Sequence, residues 1–384
     1  MIKILHVISD TNVGGAGVHL CNLLSQIDRE RFEISVCLPK GSLLTPRIRS
    51  LDISVEETRR GGDRSADLSA IPELMEILGR LKPQILHTHS ALYARLAGRF
   101  CHVPALVNTR HCATENASVS PFRRLIAGGL ERMLGGHTIA TADYVKEALV
   151  REGTSAGRIS VVYNGSPPLP QFSESEKAKI RQSLGISHDA FTVGMVARLE
   201  KGKGHDTFLG AAALCLQKDP NIQFIIAGDG SLAESLRHLA GRLGLGDRVI
   251  FLGFCQDVSL VMNVLHLNVN CSERSETSSL SLSEGMSVGA VPVVSRCGGN
   301  PFMVGFGQCG MLFPAGDEAA LADCILALQK DRASLRELSL CARRRYEEQF
   351  TAVAMTRRVE ALYQSLLRYS AGELPTRFEN SREK

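Results

Sequence analysis

The chain has no tryptophan, and only 5% of its 384 residues are aromatic. The stacking platforms on which single-stranded nucleic acids lie are therefore scarce. A net charge of +4 is too slight on this length to serve as the footprint of a polyanion, so no nucleic-acid partner is expected. Long apolar runs are missing as well. No window approaches the ~20 residues of a membrane span. The apolar opening Ile2–Ile8 is broken by His6 and stops at Asp10, unlike a secretory core. It reads as a buried first strand, and a cytoplasmic protein is expected.

No Cys-x-x-Cys occurs, and the eleven cysteines are an odd number. Cys37, Cys271 and Cys297 lie in or beside apolar strand-like runs, where a free thiol behaves as a small hydrophobe. The pairs Cys101-His102 and His111-Cys112 lack a second half-site, and adjacent side chains point apart, so no metal site is expected. Free thiols in a reduced compartment fit this pattern.

What is present is an ordinary globular composition, 44% hydrophobic and 22% charged, on a length that exceeds one core. Short β-branched runs alternate with helical patterns. Strands are expected at Ile2–Ile8, Phe32–Leu38, Ile53–Glu56, Ile85–Thr88, Ala105–Asn108, Thr138–Ala140 and Ile159–Val162. A second series covers Phe191–Ala197, Gln223–Ala227, Arg248–Phe251, Leu267–Val269, Val291–Val294 and Gly310–Phe313. Continuous apolar strands separated by helices imply parallel sheets covered on both faces, an α/β fold.

The run Asn164-Gly165-Ser166-Pro167-Pro168-Leu169-Pro170 continues neither helix nor strand. It sets expected domains at 1–170 and 171–350. A helix over 351–370 is expected to return to the first domain, and 371–384 to form a disordered tail. Each half opens with a strand and a glycine-bearing turn. Two doubly wound domains facing each other across a cleft would hold ligands at the carboxyl ends of their strands.

Four segments carry chemistry. After the first strand, Gly14-Gly15-Ala16-Gly17 lets backbone approach a ligand and presents helix N–H groups to an anion, or simply makes a tight turn. After Phe191–Ala197, the loop in MVARLEKGKGHD carries Arg198 and Lys203, a fork and a point charge suited to phosphate, or a solvated basic loop. In SERSETSSLSLSEGMSVGAVPVVS, Glu276 and Glu284 flank a run of hydroxyl residues in which Ser279 or Ser281 would cap the next helix. Carboxylates accept from vicinal sugar hydroxyls. Cations for a diphosphate and acids for a sugar together point to a nucleotide-activated sugar. Finally, Pro121–Leu134 mixes apolar and basic residues, as would a helix resting on an anionic membrane surface or an ordinary domain helix.

These motifs resemble those of the retaining glycosyltransferases of family 4. The shared features are Ala197-Arg198-Leu199, Lys203-Gly204, Glu276 and Glu284 eight positions apart, Gly289-Ala290-Val291-Pro292-Val293-Val294 and the double glycine Gly298-Gly299. Ala227-Gly228-Asp229-Gly230 and Phe251-Leu252-Gly253-Phe254 match the family's turns, and the likeness spans about residues 1–350. Thr277-Ser278-Ser279 stands where the family has glycine and phenylalanine, and the acid usual after Pro301 is missing.

The resemblance implies the GT-B architecture and transfer of a hexose or N-acetylhexosamine from a nucleotide-diphosphate sugar. UDP is favoured over GDP-mannose, with retention and without metal or other cofactor. The acceptor would be a glycan or lipid-linked glycan; peripheral contact at a membrane's cytoplasmic face through 121–134 is read from that segment's own residues and not from the resemblance. Arg198 and Lys203 would neutralise the diphosphate, Glu276 and His111 would serve the donor sugar, and Glu284 would hold the ribose. The backbone around Phe254 would flank the base. Gly14, Gly15, Ser279, Leu280, Gly298 and Gly299 complete the donor set, and His87 and His89 are acceptor-side or structural. A non-catalytic sugar-nucleotide scaffold, or a phosphorylase or epimerase of the same fold, remains the alternative.

Overall fold

The computed structural model describes residues 1–64, 66–89, 91–112 and 121–370, with side chains described except at 121–127 and 369–370. The expected tail 371–384 lies outside the described residues, as do the side chains that open the 121–134 segment.

The first parallel sheet comprises β1 (Ile2–Ile8), β2 (Phe32–Pro39), β3 (Ser54–Thr58), β4 (Ile85–His89), β5 (Ala105–Arg110), β6 (His137–Ala140) and β7 (Ile159–Val161). The second comprises β8 (Phe191–Val196), β9 (Ile222–Ala227), β10 (Val249–Gly253), β11 (Leu267–Asn270), β12 (Val291–Ser295) and β13 (Met311–Phe313). Among the described residues these are the strands read from the sequence, with ends displaced by one or two positions.

The spatial orders are β3-β2-β1-β4-β5-β6-β7 and β10-β9-β8-β11-β12-β13. In each sheet the first strand in sequence lies inside, and the order reverses beside it, between β1 and β4 and between β8 and β11. Chain connections leave those two strands toward opposite sides, which opens a crevice at their carboxyl ends.

By contacts the chain divides into Met1–Gly165 with the chain from Ala352 onward, and Ser166–Thr351. In the first unit, Ile4, Ile8, Leu20, Leu24, Phe32 and Val36 build a core with Met355, Val359, Leu362 and Tyr363 of the Ala352–Ser370 helix. Asp28 N–H donates to Glu360 at 2.7 Å and Thr356 Oγ1 to the Leu23 carbonyl at 3.4 Å, which fixes that helix against the Gly15–Gln26 helix and the loop after it. In the second, β8, β9, β11 and β12 bury Val193, Phe224, Leu267 and Val293 against the helices His205–Leu216 and Glu318–Lys330. The polar helix Glu174–Ser183 opens with a capping box between Ser173 and Glu176, which satisfies two otherwise unpaired backbone donors.

The reading of the cysteines as free thiols needs one correction. Cys309 and Cys341 form a disulfide. The two lie 32 positions apart with no motif to pair them, and only the packing of the Arg332–Arg345 helix beside the Gly305–Gly307 turn brings them together.

Candidate functional site

In the second unit the site grows from the point where β8 and β11 diverge. The loop after β8 turns at Gly202 and Gly204, both with positive φ. A Cβ on Gly204 would stand 2.2 Å from the Cys271 carbonyl oxygen, so only glycine lets this loop dock on the end of β11. Docking carries Lys203 to Glu276, with Nζ 2.8 Å from Oε2. Asn270 Nδ2 at 3.2 Å and Ser272 Oγ at 2.8 Å donate to the same oxygen. None of the described residues donates to Oε1. Burial opposes ionisation of Glu276, but Lys203 and these donors outweigh it and hold the carboxyl below its ordinary value.

The main chain of Glu276 is gripped from the other side. Gly299 N–H donates to the Glu276 carbonyl at 2.8 Å. Gly298, at φ +53°, lies so close that a Cβ would meet that oxygen at 2.0 Å. Asn300 Nδ2 reaches Asn270 Oδ1 at 3.3 Å, and Ser295 Oγ donates to the Ser272 carbonyl at 2.6 Å. Lys203, Glu276 and Gly299 are thus linked by hydrogen bonds, and Gly298 packs against the same backbone.

Ser279 caps the helix Leu280–Ser287, its Oγ accepting from Leu282 N–H. That helix carries Glu284, whose carboxyl is pushed up to about 7 by burial, with no offsetting partner among the described residues. Phe254 is 75% exposed at the turn that closes β10. Arg198 is exposed one residue beyond the Ala197 that follows β8, and its guanidinium makes no ion pair among the described residues. The structure therefore brings together four of the expected donor residues, Lys203, Glu276, Gly298 and Gly299, and shows no ion pair for Arg198 or Glu284 among the described residues.

In the first unit, Gly14 is the N-cap of the Gly15–Gln26 helix. A Cβ at Gly15 would meet nothing within 4 Å, whereas one at Gly17 would strike Leu44 at 2.6 Å. The packing of this chain thus explains glycine at 17 and leaves 14 and 15 open.

Parallel register sets His6 of β1 opposite His87 of β4, and His89 opposite Thr109 of β5. Side chains two apart share a face, so His6, His87, His89 and Thr109 line one side of the sheet, and His111 follows just beyond β5. His6 Nδ1 lies 3.2 Å from His89 Nε2, and His89 Nδ1 lies 3.2 Å from His111 Nε2. His87 contacts Tyr363 Oη at 2.5 Å and Thr109 Oγ1 at 2.7 Å. From the Gly15–Gln26 helix, His19 Nδ1 lies 2.9 Å from Asn164 Oδ1.

Burial first, then neighbouring histidines, lowers His6 to about 3 and holds His87, His89 and His111 well below the ordinary imidazole value. Burial likewise takes His19 to about 4, against the hydrogen bond it donates to the Asn164 side-chain oxygen. The rings are neutral at pH 7. The sets His6–His87–His89 and His19–His89–His111 have nitrogens close enough together to hold a metal ion, although both nitrogens of His89 already bond His6 and His111.

Sequence reasoning missed Asn270, Ser272, His6 and His19. Asn270 and Ser272 carried a usable signal, since polar residues at the carboxyl end of a buried strand face a crevice. His6 carried one only in combination, because its meaning depends on register with His87.

Both halves of the chain match known protein families. Residues 176–345 match the family described as glycosyl transferases group 1, and residues 13–168 match glycosyltransferase family 4. N-acetyl-alpha-D-glucosaminyl L-malate synthase of Bacillus anthracis is 26% identical over 93% of this chain and 95% of its own length. D-inositol 3-phosphate glycosyltransferase 1 of Catenulispora acidiphila is 26% identical over 85% of each. The crystal structure of Anabaena Alr3699/HepE in complex with UDP superposes with a TM-score of 0.83 over 95% of this chain and 100% of that one, at 24% identity, a likeness of fold. With two parallel-sheet units and both halves matched in order, the chain belongs to the family-4, group 1 glycosyltransferases of the GT-B fold.

Proposed function

We propose that the protein transfers a hexose or N-acetylhexosamine from a nucleotide-diphosphate sugar to a glycan or lipid-linked glycan of the cell envelope, with retention and without a metal. The observation that carries this reading is the Lys203–Glu276 pair, 2.8 Å apart where β8 and β11 diverge. An ammonium has three donors, so Lys203 can keep Glu276 and still donate to a phosphate oxygen. Glu276 keeps Oε1 for a sugar hydroxyl.

As the glycosidic bond to phosphate breaks, negative charge grows on the leaving diphosphate, and Lys203 with Arg198 stabilises it. That fixed positive charge is the reason no metal is invoked. The departing phosphate oxygen then takes the acceptor's proton on the same face of the sugar. Glu284 accepts from the ribose hydroxyls and the backbone around Phe254 flanks the base. Ser279, Leu280, Gly298 and Gly299 border the donor, while Gly14, Gly15 and His111 are assigned to its diphosphate and sugar. UDP is favoured because the Anabaena neighbour is described with UDP bound.

His87 and His89, read from the sequence as acceptor-side or structural, are buried, which supports the structural reading. Among the described residues no helix is long and apolar enough to cross a membrane. A peripheral contact through 121–134 stays part of the proposal. Incubation with a panel of UDP- and GDP-sugars, read out as released nucleoside diphosphate, tests the reading and names the donor. No release from any of them in the presence of glycan acceptors would reject it.

A further inference from the structure

We infer that His6 and His89 are positioning residues that fix which nitrogen of His111 carries its proton, so that His111 acts as a hydrogen-bond donor through Nδ1 and not as a base. This rests on the proposal that His111 serves the donor sugar. His6, His89 and His111 form a chain through two 3.2 Å contacts between ring nitrogens. Each neutral ring has one N–H and one bare nitrogen, so His89 donates once and accepts once. Only two polarities satisfy both contacts.

In the first, His6 Nδ1–H donates to His89 Nε2, His89 Nδ1–H donates to His111 Nε2, and the proton of His111 sits on Nδ1. In the second every arrow reverses, and His6 carries its proton on Nε2. The buried His6 Nε2 has no partner among the described residues. A buried N–H without an acceptor is rarer and costlier than a bare acceptor nitrogen, so the first polarity is favoured. His19 obeys the same rule independently. Its Nδ1 faces the Asn164 oxygen and must carry the proton, and its buried, partnerless Nε2 is again an acceptor. With Nε2 of His111 occupied by His89 and Nδ1 protonated, neither nitrogen can take a proton from an acceptor hydroxyl.

Nitrogen-15 NMR of the full chain, labelled at histidine and assigned by the signals lost in His111→Asn, reads the tautomer directly. The expected result is a protonated Nδ1 and a bare Nε2 at His111. His89→Phe should release that constraint, shift His111 toward Nε2–H and lower kcat about tenfold, a hydrogen bond's worth. His89→Gln, whose amide accepts from His6 and donates to His111, should restore both. A protonated Nε2 in the unmodified protein would overturn the inference, and that spectrum decides even if a variant fails to fold. So would stoichiometric zinc in the purified chain, because it would displace the proton shared by His89 and His111. Full activity in His111→Ala would instead defeat the sugar-contact assignment and leave the tautomer to stand on its own spectrum.

Discussion

Gly298 touches the backbone of Glu276 so closely that a single methyl group would stand 2.0 Å from the Glu276 carbonyl oxygen. The double glycine therefore shapes the acid's position through the main chain, whatever else it contacts.

Gly298→Ala should destabilise the fold by about 1–3 kcal/mol, because it adds a clash at a left-handed φ, and should lose activity. Gly15→Ala makes the contrast. Nothing lies within 4 Å of its Cβ, so thermal melting should hold or rise slightly, while the donor KM rises. Unchanged KM in Gly15→Ala would remove that turn from the donor site.

Glu284 predicts an unusual pH dependence. Its carboxyl is raised to about 7 by burial, so its contribution to stability is fully present below about 4.5 and is lost as pH rises through about 7, by up to about 3 kcal/mol. Glu284→Gln should then stabilise the ligand-free protein at pH 8. If the carboxylate holds the ribose, the same variant should weaken UDP binding roughly tenfold or more, and UDP binding to the unmodified protein near pH 7 should release protons. Calorimetry in buffers of different ionisation enthalpy reads both effects. Unchanged affinity in Glu284→Gln would reject the ribose assignment.

Much of the fold was legible because buried parallel strands are written as unbroken β-branched runs, as in Phe191–Val196 and Val291–Ser295. Lys203 and Glu276 were legible as residue types, each beyond a strand. Their contact was not, since it depends on β8 and β11 being neighbours and on Gly204 docking against Cys271. His6 looked like an interruption of an apolar strand. Only pairing with β4, 83 residues away for His89, turns it into one end of an imidazole chain. The Cys309–Cys341 bond likewise follows from helix packing that no local pattern encodes.

Excess EDTA should leave turnover unchanged, because the positive charge on the diphosphate is assigned to Lys203 and Arg198. Activity lost to EDTA and recovered with a divalent cation would contradict that assignment, and the histidine sets near His89 would then be the first place to look for the ion.

The most direct measurement compares nucleoside diphosphate release by the unmodified protein and by Lys203→Ala, using the donor the panel identifies and melting curves to confirm that both are folded. Loss of the fixed charge on the leaving group should lower kcat by roughly 100-fold or more. Undiminished release from a folded Lys203→Ala protein would contradict the central claim.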